Sequence, residues 1–254
     1  MLRGRRRPQG RRRQPRRHRR HGRPAHRAPR RGLRPQDTPA EWLEGLASGL
    51  ADEAAAVGAA VVGGDTTRGD QLTITVTALG DLEGRAPVTR SGARPGDVIA
   101  LAGKIGWAAG GLNVLSRGFR SPGALVGAYR RPQPPYAAAR DAALMGVNAM
   151  IDVSDGLLAD LGHIATASGV AIDVDTSALP IPEPMRNAAE ALGSDARRWL
   201  LTGGEDHALA AAFPADVLLP EGWRRIGAVA DGGGVTVDGR KWSGPTGWDH
   251  FSGA

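Results

Sequence analysis

Three short stretches carry carboxylates where they could do chemistry: "GGDTTRGD" (63–70), "DVSDG" (152–156) and "GGED" (203–206). Each stands beside an apolar run that reads as a strand. In the second, Asp152, Ser154 and Asp155 put two carboxylates and a hydroxyl into one strand-to-helix turn. Carboxylates so close repel unless a cation neutralises them. Hard cations such as Mg2+ prefer oxygen ligands, often one or two carboxylates with substrate phosphates completing the shell. The helix start that follows favours anions. Together these point to a Mg2+–nucleotide site. For any one turn a plainer account exists, since Asp and Gly also make ordinary turns and caps. Three glycine-flanked acidic turns in one chain weigh against it.

The first stretch reads as a polar loop between two strands, "AAVVGG" and "QLTITVTALG". It spends three glycines, two carboxylates, two hydroxyls and an arginine where a hairpin needs one Gly or Asn. A fourth stretch, "GKIGWAAGG", has a Lys after its first Gly. Its spacing fits no nucleotide motif, and no GxxxxGK[ST] is present. Close helix–strand packing explains its glycines equally well.

The elements that must position these turns are legible by period. In "DTPAEWLEGLASGLADEAAAVG", Thr38 is expected to cap a helix with Pro39 at its first position and Glu41 completing a capping box. Trp42, Leu43, Leu46, Leu50 and Ala54 form its apolar stripe, and Gly58 stops it. Leu72, Ile74, Val76 and Ala78 alternate with threonines, a strand pattern with one apolar face. "GDVIALAG" reads as a buried strand before the "GWAAGGLNVL" helix. Two short helices begin at Ser121-Pro122 and Pro134-Pro135, and "NAMIDVSDGLLADLGHIATASG" is strand, turn, helix. "VAIDVDTSALP" is a strand and "PMRNAAEAL" a helix. "DHALAAAF", "RRIGAVA" and "GVTVDG" are strands. Strands alternating with helices make the chain α/β or α+β.

Composition narrows the classes. The chain has 254 residues and no cysteine, so it has neither a disulfide framework nor a thiolate metal site. No apolar run approaches the roughly 20 residues that span a bilayer. The basic N-terminus lacks the apolar segment of a secretory signal. These features fit a cytoplasmic protein. The formal charge of +7 is unevenly placed. Residues 1–35 hold 16 arginines and no acidic residue, so of 33 basic residues 17 remain against 26 acidic ones, a net charge of −9. The arginine-rich tail cannot bury a core and is expected to be disordered. It is either an arm for RNA, DNA or a membrane, or a segment without an evolved role, of the kind a GC-rich gene yields in the wrong frame. It carries no aromatic residue for stacking on bases.

From Asp37 to Phe251 the chain resembles thiamine-monophosphate kinase, a family of the aminoimidazole ribonucleotide synthetase-like superfamily. The resemblance rests on "VVGGDTTRG", "RSGARPGD", "GWAAGGL", "YRRPQPPY", "MIDVSDGLLADLGHIA", "LLTGGEDHAL" and "GWDHF", in that order. It implies that Gly64 and Asp65 lie against ATP, with Asp65 also binding Mg2+, and that Arg90 contacts ATP. It implies Mg2+ ligation by Asp152 and Asp155 and nucleotide contact by Ser154. Glu205 and Trp248 would meet thiamine phosphate, where a carboxylate and an aromatic face suit a cationic thiazolium. The implied reaction is transfer of the γ-phosphoryl of ATP to thiamine monophosphate, giving thiamine diphosphate. The acceptor is already an ionised phosphate, so no catalytic base is expected, and His163 and His207 are read as structural.

The resemblance also carries a departure. The family's "GDDAA"-like turn and the segments around it, which supply further Mg2+ ligands and much of a dimer-forming sheet, have no counterpart here. The expected organisation is a disordered tail (1–35), a remnant of an N-terminal ATP-binding domain (36–92) and a complete C-terminal α/β domain (93–254). A homodimer is expected for the complete enzyme, and inactivity for this shorter form. Two alternatives stay open: another ATP-dependent enzyme of the same superfamily, against which "GGED" with "WDHF" argues, and a non-catalytic nucleic-acid-binding protein acting through the arginine tail.

Overall fold

The protein is described by a computed structural model covering residues 27–28 and 30–249. Most of the arginine tail (1–26) and the end of "GWDHF" (His250 and Phe251) lie outside the described residues. The chain divides into two compact units, the first ending at Arg85 and the second beginning at Ala86. The expected boundary was a few residues later. Residues 88–93 go with the second unit because they are moored there. The Met150 N–H donates to the Thr89 carbonyl (3.0 Å), and the Gly92 and Ala93 N–H groups donate to Ser168 Oγ.

The first unit holds β1 (Arg27–Ala28), β2 (Arg30–Arg34), α1 (Ala40–Ala56), β3 (Ala60–Val61), β4 (Asp65–Arg68) and β5 (Thr73–Val76). Short β1 and β3 pair in parallel, and β2 is the middle strand between β4 and β5. Three expectations need correction here. Arg30–Arg34, placed in the tail, is a strand, parallel to β4 and antiparallel to β5. The supposed loop 63–70 contains β4, because the β-branched Thr66 and Thr67 sit in an extended run that has β2 to bond with. The Thr38 cap is not made. Helix α1 starts at Ala40 after an N-cap Pro39 that makes no side-chain bond, and the Thr38 hydroxyl instead donates backward to the Pro35 carbonyl (2.9 Å). Gly58 ends the helix region as expected, at φ +68°. The apolar stripe is half-buried at Leu43, Leu46, Leu50 and Ala54, and Trp42 is exposed.

The second unit is built on β6 (Val98–Ala102), α2 (Trp107–Ser116), α3 (Gly123–Arg130), α4 (Tyr136–Leu144), β7 (Ala149–Val153), α5 (Leu157–Ser168), β8 (Ala171–Val174), α6 (Glu183–Ala191), α7 (Ala196–Thr202), β9 (Ala208–Phe213), β10 (Trp223–Ala230), β11 (Gly234–Val237) and β12 (Arg240–Lys241). Its seven strands form one mixed sheet in the order β12-β11-β8-β10-β6-β9-β7. Only β8 and β11 run parallel; the other neighbours are antiparallel. This is the α/β character expected, with α7 as an element the sequence reading lacks.

Strand alternation builds two cores. Ile99 and Leu101 of β6, Ala210 and Ala212 of β9, and Ile172 and Val174 of β8 share a core with Leu157, Leu161 and Ile164 of α5, Val114 of α2, Met185 of α6 and Leu201 of α7. On the other face, Ala100, Ala102, Ala211 and Phe213 pack with Ala138 and Ala142 of α4 and with Trp223. The Phe213 and Trp223 rings meet edge to face at 5.2 Å, and the Trp223 indole N–H donates to the Ala138 carbonyl. The interior β9 has alanine at four of its six positions and is covered on both faces. It lies between β6 and the edge strand β7, with Asp152 directly opposite Leu209. That register sets Asp152 at the end of the sheet edge, where the site begins.

Candidate active site

The turn after β7 is the hub. Asp152 and Val153 end the strand, Ser154 and Asp155 make the turn, and Gly156 precedes α5. Helix α5 has no N-cap side chain of its own. Its first turn provides one from inside: Asp160 Oδ2 accepts from the N–H groups of both Asp155 and Gly156 (3.1 Å each). Asp160 is buried. Desolvation pushes its carboxyl above the usual carboxylate range, the two amide bonds pull it back, and the neighbouring Asp155 and Asp152 charges push it further up.

Two distant segments clasp this turn by consecutive carbonyls. The Glu205 N–H donates to the Ser154 carbonyl, and the Trp248 N–H donates to the Asp155 carbonyl, both at 2.9 Å. The backbones approach closely enough to exclude side chains. A Cβ on Gly156, which sits at φ +138°, would lie 2.7 Å from the Thr202 carbonyl oxygen. One on Gly204 would collide with the Ser154 carbonyl. The glycines of "DVSDG" and "GGED" therefore permit the junction of these motifs.

Beside the hub lies an open cleft of about 620 Å3, lined by Val88, Thr89, Arg90, Met150, Ile151, Asp152, Ser154, Asp155, Asp160, His163 and Leu209. Of the residues singled out in the sequence, Arg90, Asp152, Ser154 and Asp155 come together here. Arg90 is exposed, and the Ser168 hydroxyl donates to its carbonyl. Glu205 and Trp248 are not in the lining; both are exposed and reach the hub through the backbone bonds just described. Gly64 and Asp65 belong to the first unit, where both are exposed and Asp65 opens β4.

His163 lines the cleft and is exposed, while His207 Nδ1 stands 3.8 Å from Asp152 Oδ2. Asp160 and Asp97 were given no role in the sequence reading, and Asp206 was read only as the end of the "GGED" stretch. Asp97, in "RSGARPGD", accepts from the Asn148 side chain and the Arg94 N–H, which ties the Arg90 loop to the start of β7. Asp206 is buried against the N-terminus of α2, where its Oδ1 accepts from the Ala108 N–H (2.9 Å). Burial raises its carboxyl to about 6, against the pull of the Ala108, Trp107 and Gly106 amides and the His207 charge. The one available signal for such residues was a carboxylate inside an otherwise apolar or Gly-rich run.

The donor set fits a hard cation. Asp152 and Asp155 line one open cleft, with Asp152 exposed. Among the described residues no group of three His, Cys, Asp or Glu encloses a metal by itself. A pair of accessible carboxylates is what an ion needs when it keeps water or phosphate oxygens for the rest of its shell.

Comparison with known proteins identifies the family. The family "AIR synthase related protein, C-terminal domain" matches residues 94–239, and its N-terminal domain counterpart matches residues 30–82. A thiamine-monophosphate kinase of Mycobacterium tuberculosis is 49% identical over 219 residues, covering 85% of this chain and 65% of that protein. One from Corynebacterium glutamicum is 41% identical, covering 85% of this chain and 68% of that protein. The chain thus spans just under two thirds of the M. tuberculosis relative's length. Among solved structures, AaThiL complexed with AMPPCP and TMP superposes with a TM-score of 0.82 at 32% identity, covering 90% of this chain and 74% of that one. HypE of Escherichia coli shares the fold at 21% identity and a TM-score of 0.68. The chain belongs to the AIR synthase related proteins and, within them, to the thiamine-monophosphate kinase family.

Proposed function

We propose that this protein transfers the γ-phosphoryl group of ATP to the phosphate of thiamine monophosphate, forming thiamine diphosphate and ADP. One observation carries the reading: the Asp152–Gly156 turn, the Glu205 segment and the Trp248 segment are joined by two consecutive carbonyls into a single unit beside an acidic cleft. An acceptor that is already anionic needs no strong base, so the work is to bring two polyanions together and hold them in line. Asp152 and Asp155 would hold Mg2+, which when bound neutralises phosphate charge and orients the transferred group. Arg90 offers a guanidinium for phosphate oxygens, and Ser154 a hydroxyl at the turn. Glu205 and Trp248 suit the cationic ring of the acceptor. Gly64 and Asp65 are assigned to ATP and its cation on the resemblance of "VVGGDTTRG".

The reading extends to a homodimer and to a cytoplasmic location, where ATP is available. Apolar side chains left exposed in the first unit, Leu72, Ile74 and Val76 among them, support pairing of two copies. Light scattering that gives the mass of one chain at working concentration would remove that part.

The test is formation of thiamine diphosphate by the purified chain from ATP and thiamine monophosphate, with and without Mg2+. Calorimetric titration with each substrate separately accompanies it. Metal-dependent product is the expected result, at the low rate that the lack of a "GDDAA"-like turn implies for this shorter form. Binding of neither substrate together with no product would sink the proposal, as would faster phosphorylation of a different acceptor.

A further inference from the structure

The "GKIGWAAGG" stretch has the look of a phosphate loop, glycines and a lysine opening a helix, yet the N-terminus of α2 is already taken. Asp206, 98 residues away, sets its carboxylate there and accepts from the Ala108 N–H at 2.9 Å. Gly106 stands at φ +78°, and a Cβ there would lie 2.9 Å from the Leu200 nitrogen and the Trp199 carbonyl. Its glycine thus serves packing against α7. The N-cap Gly106 offers α2 no side chain of its own. Asp206 is 6% exposed, and its second oxygen, Oδ2, is buried with no hydrogen-bond partner among the described residues. A carboxylate kept in so unfavourable a place should do something a surface cap could not.

The residues on either side indicate what that is. Glu205 and His207 both adopt left-handed backbone, at φ +69° and +53°. Such conformations cost a non-glycine residue energy and persist only where the surroundings impose them. Between the two strained residues stands the one that is anchored. On the outer side of each, the strain is turned to use: the Glu205 N–H meets the Ser154 carbonyl, and His207 Nδ1 comes within 3.8 Å of Asp152 Oδ2.

We propose that Asp206 is a positioning residue, whose hold on the N-terminus of α2 keeps Glu205 and His207 in left-handed backbone beside the Asp152–Gly156 turn. The anion position at α2 is thereby filled from within, and the "GKIGWAAGG" turn supports the acceptor side of the site instead of binding nucleotide phosphate. The inference rests on the activity proposed above for its kinetic consequence but not for its structural one.

The experiment reads both in the full chain. Amide hydrogen exchange is followed without substrate at Ala108, Glu205 and His207 in the wild type, in Asp206→Ala and in Asp206→Asn, and the KM for each substrate is then compared. In Asp206→Ala, exchange at Ala108 and at Glu205 should accelerate together by roughly tenfold, the size of a lost helix cap. The KM for thiamine monophosphate should rise by a similar factor, and by more than that for ATP. Asp206→Asn keeps an acceptor oxygen for Ala108 and should restore protection at Glu205. Acceleration at Ala108 alone, with Glu205 and the acceptor KM unchanged, would reduce Asp206 to a local cap and overturn the proposal. Should the alanine variant not fold, the asparagine variant decides: loss of Glu205 protection while Ala108 stays protected would also overturn it. A wild-type chain that fails to use thiamine monophosphate sinks the proposed activity and leaves the amide comparison to judge this inference.

Discussion

The two units match the same family and differ in what their side chains have to lean on. Within residues 35–85 no residue is buried; Val62, Leu72, Ile74, Val76, Leu79 and Leu82 all stand exposed. In the second unit Ile99, Leu157, Leu161, Ile172 and Phe213 are wholly enclosed. Both regions show the alternation or helical stripe that marks an apolar face. A pattern in sequence specifies that a face exists. Whether the face yields free energy depends on water being removed from it, at about 25 cal/mol per Å2 of apolar surface. The second unit closes that account with its own chain, and the first does not.

The comparison can be pressed hardest in the core. Phe213→Ala should cost about 3–5 kcal/mol, since it empties a site packed on both sides by Trp223 and the alanines of β6 and β9. Urea unfolding followed by tryptophan fluorescence measures it. A loss under 1 kcal/mol would mean the second core is loosely packed after all. Next comes chemistry confined to the second unit. Asp155→Asn or Asp152→Asn should lower Mg2+-dependent turnover by roughly 100-fold or more, with the circular dichroism spectrum unchanged. Near-normal rates at saturating Mg2+ would remove these carboxylates from the site.

A smaller effect follows from Asp206. Burial raises its carboxyl to about 6 in the folded chain, above the ordinary carboxylate range of about 4, so between those limits the folded state binds more protons than the unfolded one. Its contribution to stability is present in full below about pH 4 and is lost as pH rises through 6. The gain on acidification from pH 7 is at most about 3 kcal/mol, with His207 the charged neighbour opposing it. Denaturation midpoints at pH 7 and pH 4.5, for the wild type and Asp206→Asn, isolate the term. An equal pH dependence in the two proteins would exclude it. The smallest effect is expected in the first unit of a single chain, where Ile74→Ala, at a concentration too low for two copies to pair, should change stability by no more than about 0.5 kcal/mol. A loss of 2 kcal/mol or more would show that Ile74 is covered in solution.

The sequence reading succeeded where the information is local. The strand–turn–helix of "MIDVSDGLLADL" is written in a few adjacent residues, and so are the Ser121-Pro122 and Pro134-Pro135 starts of α3 and α4 and the apolar period of β8 to β11. It failed where partners are remote. Helix α7 carried a signal that went unused, Asp195 capping the run that holds Trp199, Leu200 and Leu201. Nothing local marks "RRGLR" as a strand, because only β4 and β5 make it one. Asp160 and Asp206 look like surface carboxylates until the amides they serve are in place, five and 98 residues away. Of the candidate site, the carboxylate turn was readable outright. The carbonyl clasp joining it to Glu205 and Trp248 was not, since Gly156 and Gly204 show that something approaches closely but not which backbone does.

The position of β2 bears on how the polypeptide should be trimmed. A cut before Arg30 spares the three-stranded sheet, whereas a cut after Arg34 removes its centre. The two remaining strands share no ladder with each other, since each bonds only to β2. Removing the entire arginine-rich stretch as dispensable would therefore leave two orphaned ribbons with unpaired amides on both margins. For protein production, five residues decide between a shortened protein and one prone to self-association.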